Sequence, residues 1–149
     1  MNQPTPERNF RRPWHLWLIG VLALAWNSIG AFDYVMTETR NVSYMSAFTP
    51  DQLAYFYAFP MWAVATWALS VWGGVLGSVL LLLRRRLAVH VFALSLATMA
   101  ASFFHNYVLT SGFKVMGGAG ALAFSGVIAL VGAALLLYAR KLSQSSVLH

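Results

Sequence analysis

Cysteine is absent from the 149 residues. That excludes disulfides, thiol nucleophiles and thiolate metal sites, and it leaves the redox compartment open. Acidic residues are scarce as well. Four Asp and Glu stand against ten Lys and Arg, and charged residues make up 9% of the chain, where a soluble domain carries roughly 25%. The motifs of soluble chemistry are also missing: no nucleophile spaced with a base, no glycine-rich phosphate loop, no HExxH or related metal spacing. GGVLG (73–77) and GGAG (117–120) sit inside apolar runs and read as packing glycines. An enzyme is not expected, and neither is a metal site.

What the chain has in excess is apolar surface. Hydrophobic residues make up 59% and the mean hydropathy is +0.63, too much for so short a chain to hide in a water-facing globule. Four runs, about 15–36, 60–83, 87–109 and 117–139, are each long enough to cross a hydrocarbon core as a helix. The expected fold is all-α: an integral membrane bundle of four transmembrane helices in contact with the lipid bilayer. Basic residues fall at the ends of these runs. Arg8, Arg11 and Arg12 precede the first, Arg84, Arg85 and Arg86 join the second to the third, and Arg140 and Lys141 follow the fourth. Only Arg40 and Lys114 lie on the other side, which gives both termini a cytoplasmic location. The positive charge is thus a topology signal, and no nucleic-acid partner is expected. A cleaved signal peptide is the competing reading of the start, with RRPWH, LWLIGVL and Ala23–Ala25 as its three regions. The apolar run continues to Met36, so the segment is read as a span.

Residues 1–14 are expected to form a cytoplasmic arm and 142–149 a cytoplasmic tail, on either side of a transmembrane domain over 15–141. The outer loop, 37–59, contains TPDQLAYFYAF (49–59), which reads as a short helix with Thr49 as N-cap, Pro50 as its first residue and Gln52 closing a capping box. Its aromatics suit either an interfacial anchor or a lid over an outward-facing cavity. A weak repeat relates FDYVMT (32–37) to HNYVLT (105–110), and VLGSVLLLLRRR (75–86) to LVGAALLLYARK (130–141), so the chain reads as two tandem hairpins in which Asp33 corresponds to Asn106. Stripes of small residues mark packing faces: Gly20, Ala23, Asn27 and Ala31; Ser70, Gly74 and Ser78; Ala93, Ala97, Ala101 and His105; Gly117, Ala121, Ser125, Ala129 and Ala133.

The candidate site residues are the polar groups inside these spans. Asn27 is near mid-membrane and is either an interhelical hydrogen bond or a ligand-contacting amide. Asp33 is two turns further out, where a carboxylate has to pair or face water. His105 and Asn106 lie at similar depth on the third span. A contact between Asp33 and His105 would either order the outer ends or carry a proton. Trp26 and Tyr34 flank these positions as stacking or belt aromatics. His90 and His105 are about 22 Å apart along one helix, so a haem would need a symmetric dimer, and no cofactor is expected.

WNSIGAFDYVM (26–36), Pro60 with Trp62, and WGGVLGSVLLLLRRR (72–86) resemble a group of small bacterial four-helix membrane proteins loosely named "sugar transporter". The resemblance covers about 16–109 and implies a bacterial inner-membrane protein and small-solute, sugar-like transport, here with proton coupling through Asp33. Because four helices enclose little space, a homo-oligomer is expected. The competing function is an accessory or assembly subunit of a larger membrane complex, with structural polar residues. In size and in carrying an acid in the first span, the chain is also similar to the small multidrug resistance exporters. Their glutamate lies deeper in that helix, and Asp33 departs from this pattern.

Overall fold

The computed structural model describes residues 13–149. The chain runs α1 (Trp14–Glu38), α2 (Val42–Met45), α3 (Pro50–Tyr57), α4 (Met61–Leu82), α5 (Leu87–Phe104), α6 (Gly112–Val115) and α7 (Ala119–Gln144), with α5 continuing as a π-helical segment over His105–Leu109. Four of these helices are long and apolar enough to span a membrane, and the protein is an all-helical four-helix membrane bundle. The arm expected over 1–14 lies outside the described residues except for Pro13 and Trp14, and Trp14 already begins α1.

Helix α4 is the centre of the packing, in close contact with α1 on one side and α5 on the other, while α7 packs on α5. Its buried face is Ser70, Gly74, Gly77 and Ser78, the small-residue stripe read from the sequence. The facing stripe of α1 buries Gly20, Ala23 and Ala31. The third stripe is different. Helix α5 buries Ala88, Phe92 and Ser95, and Ala97 is exposed. The serines face α4 because they have hydrogen bonds to make there, and alanine has none. Ser95 Oγ donates to the Ser70 carbonyl at 2.6 Å and Ser102 Oγ donates to Thr66 Oγ1 at 3.1 Å. Between α1 and α4, Asn27 Nδ2 donates to Ser78 Oγ at 3.3 Å, while it also donates within α1 to the Ala23 carbonyl at 2.8 Å. Such interhelical bonds contribute about 0.6 kcal/mol each in a membrane.

Close approach at the centre depends on Gly74. A Cβ at this position would overlap the Asn27 carboxamide, whose Oδ1 lies directly over the glycine. Helix α7 is the least buried of the four. It meets α1 through side chains, with Trp26 and Phe124 rings 6.5 Å apart and His15 Nδ1 2.6 Å from the Tyr138 hydroxyl. A cavity of about 20 Å³ remains between the helices, lined by Asn27, Gly74, Phe92, Ser95, Met99 and Gly132 among others. That is room for one water.

The helix ends explain the loop geometry. After α1, Asn41 N–H bonds the Met36 carbonyl and Arg40 N–H bonds Thr37, with Arg40 at φ 51°. This is a Schellman ending. It recurs after α4 with Arg84 (φ 57°) and after α7 with Ser146 (φ 57°). Each puts a non-glycine residue in the left-handed region, at a cost of roughly 1–2 kcal/mol. At the end that carries Arg84–Arg86, the tail expected over 142–149 is not a free extension. Helix α7 runs on to Gln144, and the Ser146 turn sends the chain back so that Leu148 is fully buried. His149 N–H donates to the Arg84 carbonyl at 2.7 Å, and Arg86 N–H donates to the His149 carbonyl at 2.8 Å. The fourth span likewise starts at Ala119 rather than 117, because Gly117 and Gly118 take positive φ.

Gly74→Ala is expected to destabilise the detergent-solubilised protein by about 1–3 kcal/mol through overpacking against Asn27. In an Asn27→Ala background the same substitution should cost less than half as much, read as the shift in thermal unfolding midpoint. Equal cost in both backgrounds would show that the Asn27–Gly74 contact does not set the helix spacing.

Candidate functional site

The outer loop of the sequence reading folds over the end of the bundle opposite Arg84–Arg86. Helix α3 has the expected capping box: Thr49 N–H donates to Gln52 Oε1 at 3.0 Å and Gln52 N–H donates to Thr49 Oγ1 at 3.3 Å. Pro50 opens the helix, where a missing N–H costs nothing. The cap fixes the start of α3, whose Tyr55 reaches the π-helical segment while Phe56 packs against Phe48 and Phe59. Phe59, just after α3, lies 4.8 Å from the His105 ring (centroid to centroid), and Trp62 at the start of α4 lies 5.2 Å from it, both edge-on.

His105 is 4% exposed and is the buried titratable side chain of this end. It opens the π-helical segment, a rare geometry that concentrates at functional sites. Its Nδ1 is 3.2 Å from Asn106 Oδ1, which only accepts, so the ring donates as Nδ1–H in this arrangement. Asn106 Oδ1 also accepts from the Tyr55 hydroxyl at 3.1 Å, and that hydroxyl is 2.7 Å from Thr110 Oγ1. Thr110 Oγ1 in turn lies within hydrogen-bond distance of the carbonyls of His105 (3.0 Å) and Asn106 (3.2 Å), its one proton shared among these acceptors and the Tyr55 oxygen. Gly112 lies beneath, where a Cβ would collide with both the Asn106 carbonyl and the Tyr55 hydroxyl. Burial pushes the Tyr55 phenol above its ordinary value, and the Thr110 bond works against that rise.

Asp33 belongs to a different cluster. The Tyr44 hydroxyl donates to Asp33 Oδ1 at 2.6 Å, and the Tyr44 ring packs edge-on against Phe32 at 5.7 Å. The expected Asp33–His105 contact is not made. Helix α4 separates α1 from α5, and the loop between α1 and α4 supplies a tyrosine to each side: Tyr44 to Asp33, and Tyr55 to the Asn106 beside His105. These two polar positions correspond in the weak repeat, and each takes a phenol from the same loop. The bond to Asp33, with burial and the carboxylate charge adding to it, pushes the Tyr44 pKa up to about 12.

The remaining candidates divide between two places. Tyr34 stacks edge-on against Trp67 at 5.1 Å, Trp67 meets Phe59 at 6.3 Å, and an aromatic chain thus leads to His105. Trp26 and Asn27 line the small cavity deeper in the bundle. Tyr55, Phe59, Trp62, Thr110 and Gly112 complete the His105 cluster, and sequence reasoning left them out of the site. The signal available was the pairing of a capping box with closely spaced aromatics just ahead of a span.

No protein family matches the sequence, and neither does any curated relative or solved structure.

The phenol of Tyr44 ionises at higher pH when folded than its ordinary value of 10.0. Its bond to Asp33 therefore contributes stability that is complete below pH 10 and is lost as pH rises through about 12. The phenolate absorbance of wild type minus Tyr44→Phe is expected to titrate near that upper value, and a midpoint near 10 would mean that the bond is not formed.

Proposed function

We propose that this multi-pass membrane protein is a small-solute transporter of the inner membrane whose proton-exchanging group is His105 rather than Asp33. The observation that carries the reading is the buried imidazole in a π turn beneath an aromatic loop. The other three histidines lie toward the opposite end. His15 pairs with Tyr138, His90 is exposed one turn after Arg86, and His149 bonds Arg84. Asp33 is a weaker candidate because its carboxylate already has a short bond from Tyr44.

A polar seam supports the same reading. It consists of three separate hydrogen-bonded pairs, Ser102 with Thr66, Ser95 with the Ser70 carbonyl, and Asn27 with Ser78. The small cavity opens on this seam beside Asn27 and Ser95. Hydroxyls and a carboxamide at successive levels give a polar solute, or a proton carried by water, partners at each level. With both termini cytoplasmic, His105 faces the outside, and the proton would enter there. The sugar-like substrate rests on the resemblance of WNSIGAFDYVM and its companion motifs. An oligomer would supply the further walls that four helices lack.

The accessory or assembly subunit is the second reading, and one observation favours it. The cavity between the helices has about 20 Å³, against roughly 300–1,000 Å³ for a small-molecule site. In that case the seam serves only to hold the helices together.

Currents from the reconstituted protein on a solid-supported membrane separate the two. A panel of sugars, sugar acids, small amines and pH jumps is applied to wild type, His105→Gln and Asp33→Asn. The expected result is a current that His105→Gln abolishes and Asp33→Asn reduces by less than about fivefold, in keeping with a structural bond worth roughly 1 kcal/mol. Loss of current in Asp33→Asn alone would return the coupling role to Asp33. Silence of folded wild type would favour the subunit reading.

A further inference from the structure

We propose that residues 41–59 form a hinged lid over His105, held shut by a latch at the Tyr55 hydroxyl. The inference concerns access to His105 and holds whether or not the protein transports a solute.

Three observations build it. First, the segment is attached lightly. No residue of α3 is buried, and within 41–59 only Met45 is. Much of its aromatic contact is internal, edge to face, as Phe48 meets Phe56 at 5.6 Å and Tyr55 meets Phe59 at 5.2 Å. Segments with so little buried apolar contact open at low free energy. Second, both ends of the segment are turns rather than continuous helix. Arg40 holds the left-handed conformation at φ 51°, and Pro60 is extended at φ −67°, ψ 155° before α4 begins. With Tyr44 anchored to Asp33, a few backbone torsions between that anchor and Pro60 can swing the part of the segment that carries α3.

Third, apart from the Tyr44–Asp33 anchor at the start of the segment, the polar ties that close the lid are few and gathered in one place. Tyr55 Oη bridges Asn106 Oδ1 and Thr110 Oγ1, and Gln52 Nε2 donates to the Val115 carbonyl at 3.2 Å. Gly112 leaves the space that lets the phenol reach so far in. On the far side of the latch, the same Asn106 oxygen accepts from His105 Nδ1, and the same Thr110 hydroxyl lies within hydrogen-bond distance of the carbonyls of His105 and Asn106. Releasing Tyr55 thus does two things together. It lifts Phe59 from the His105 ring, and it frees the groups that stabilise the π turn. The latch links lid position to the geometry of the imidazole.

The absence of cysteine makes the histidines the convenient reporters. Full-length protein in detergent at one fixed pH is treated with diethyl pyrocarbonate, and peptide mass spectrometry reads the rate at each histidine. In wild type, His105 should react far more slowly than exposed His90. In Tyr55→Phe, its rate should rise about tenfold, equivalent to about 1.4 kcal/mol of lost latch, with His90 unchanged. Gln52→Ala, which leaves the phenol in place, should give a smaller rise and serves if Tyr55→Phe does not fold. A His105 rate that matches His90 in wild type, or that neither substitution moves, overturns the latch.

Discussion

Lipid offers a polar side chain no hydrogen bond, so each such group between the helices must find a partner within the protein. Asn27 shows what this requires. Its amide donates within α1 and across to Ser78, while its oxygen rests on Gly74. The contact works only if α1 and α4 come close enough for a carboxamide to touch backbone, and glycine permits that distance. Ser95 reaching the Ser70 carbonyl repeats the arrangement between α4 and α5. The position of α4 at the centre follows from these two contacts. Helix α7, bridged to the π-helical segment by Tyr107 and Ser125 toward its start, is the least buried of the spans.

The two ends of the bundle are closed by different physics. At the arginine end the chain turns back after α7, buries Leu148 completely and ties its backbone to Arg84 and Arg86. Leu16, Leu81, Ala88, Leu135, Ala139 and Leu142 make this a continuous apolar core. At the opposite end the closure consists of ring edges and a few hydroxyls around a buried imidazole. Apolar burial is lost only by exposing the whole core, whereas a phenol can trade one acceptor for water at small net cost. The lid end is therefore the one suited to open.

The correspondence of FDYVMT with HNYVLT acquires content in three dimensions. Asp33 and Asn106 each accept a tyrosine hydroxyl from the same loop, at 2.6 and 3.1 Å. The outcomes diverge with the residue types. A carboxylate makes a short, charge-assisted bond and holds its tyrosine protonated to high pH. A neutral amide accepts from both phenol and imidazole, and so joins the loop to His105. One loop thus anchors at Asp33 and latches at Asn106.

By itself the sequence determined the four spans, the small faces of α1 and α4, and the capping box of α3. These are local properties: apolar length, periodicity of small residues, and a side chain bonding its own helix end. It did not determine which polar residues would meet. Asp33 and His105 lie at similar depth and have complementary chemistry, yet α4 packs between their helices and the loop gives Asp33 Tyr44 as its partner instead. The choice of Ser95 over Ala97 for the α4-facing side, the π turn at His105 and the return of the chain after Gln144 were likewise decided by the tertiary structure. Each depends on a partner distant in sequence, since hydrogen bonds in a membrane are assigned by what the neighbouring helix or loop presents, and periodicity along one helix carries no record of that.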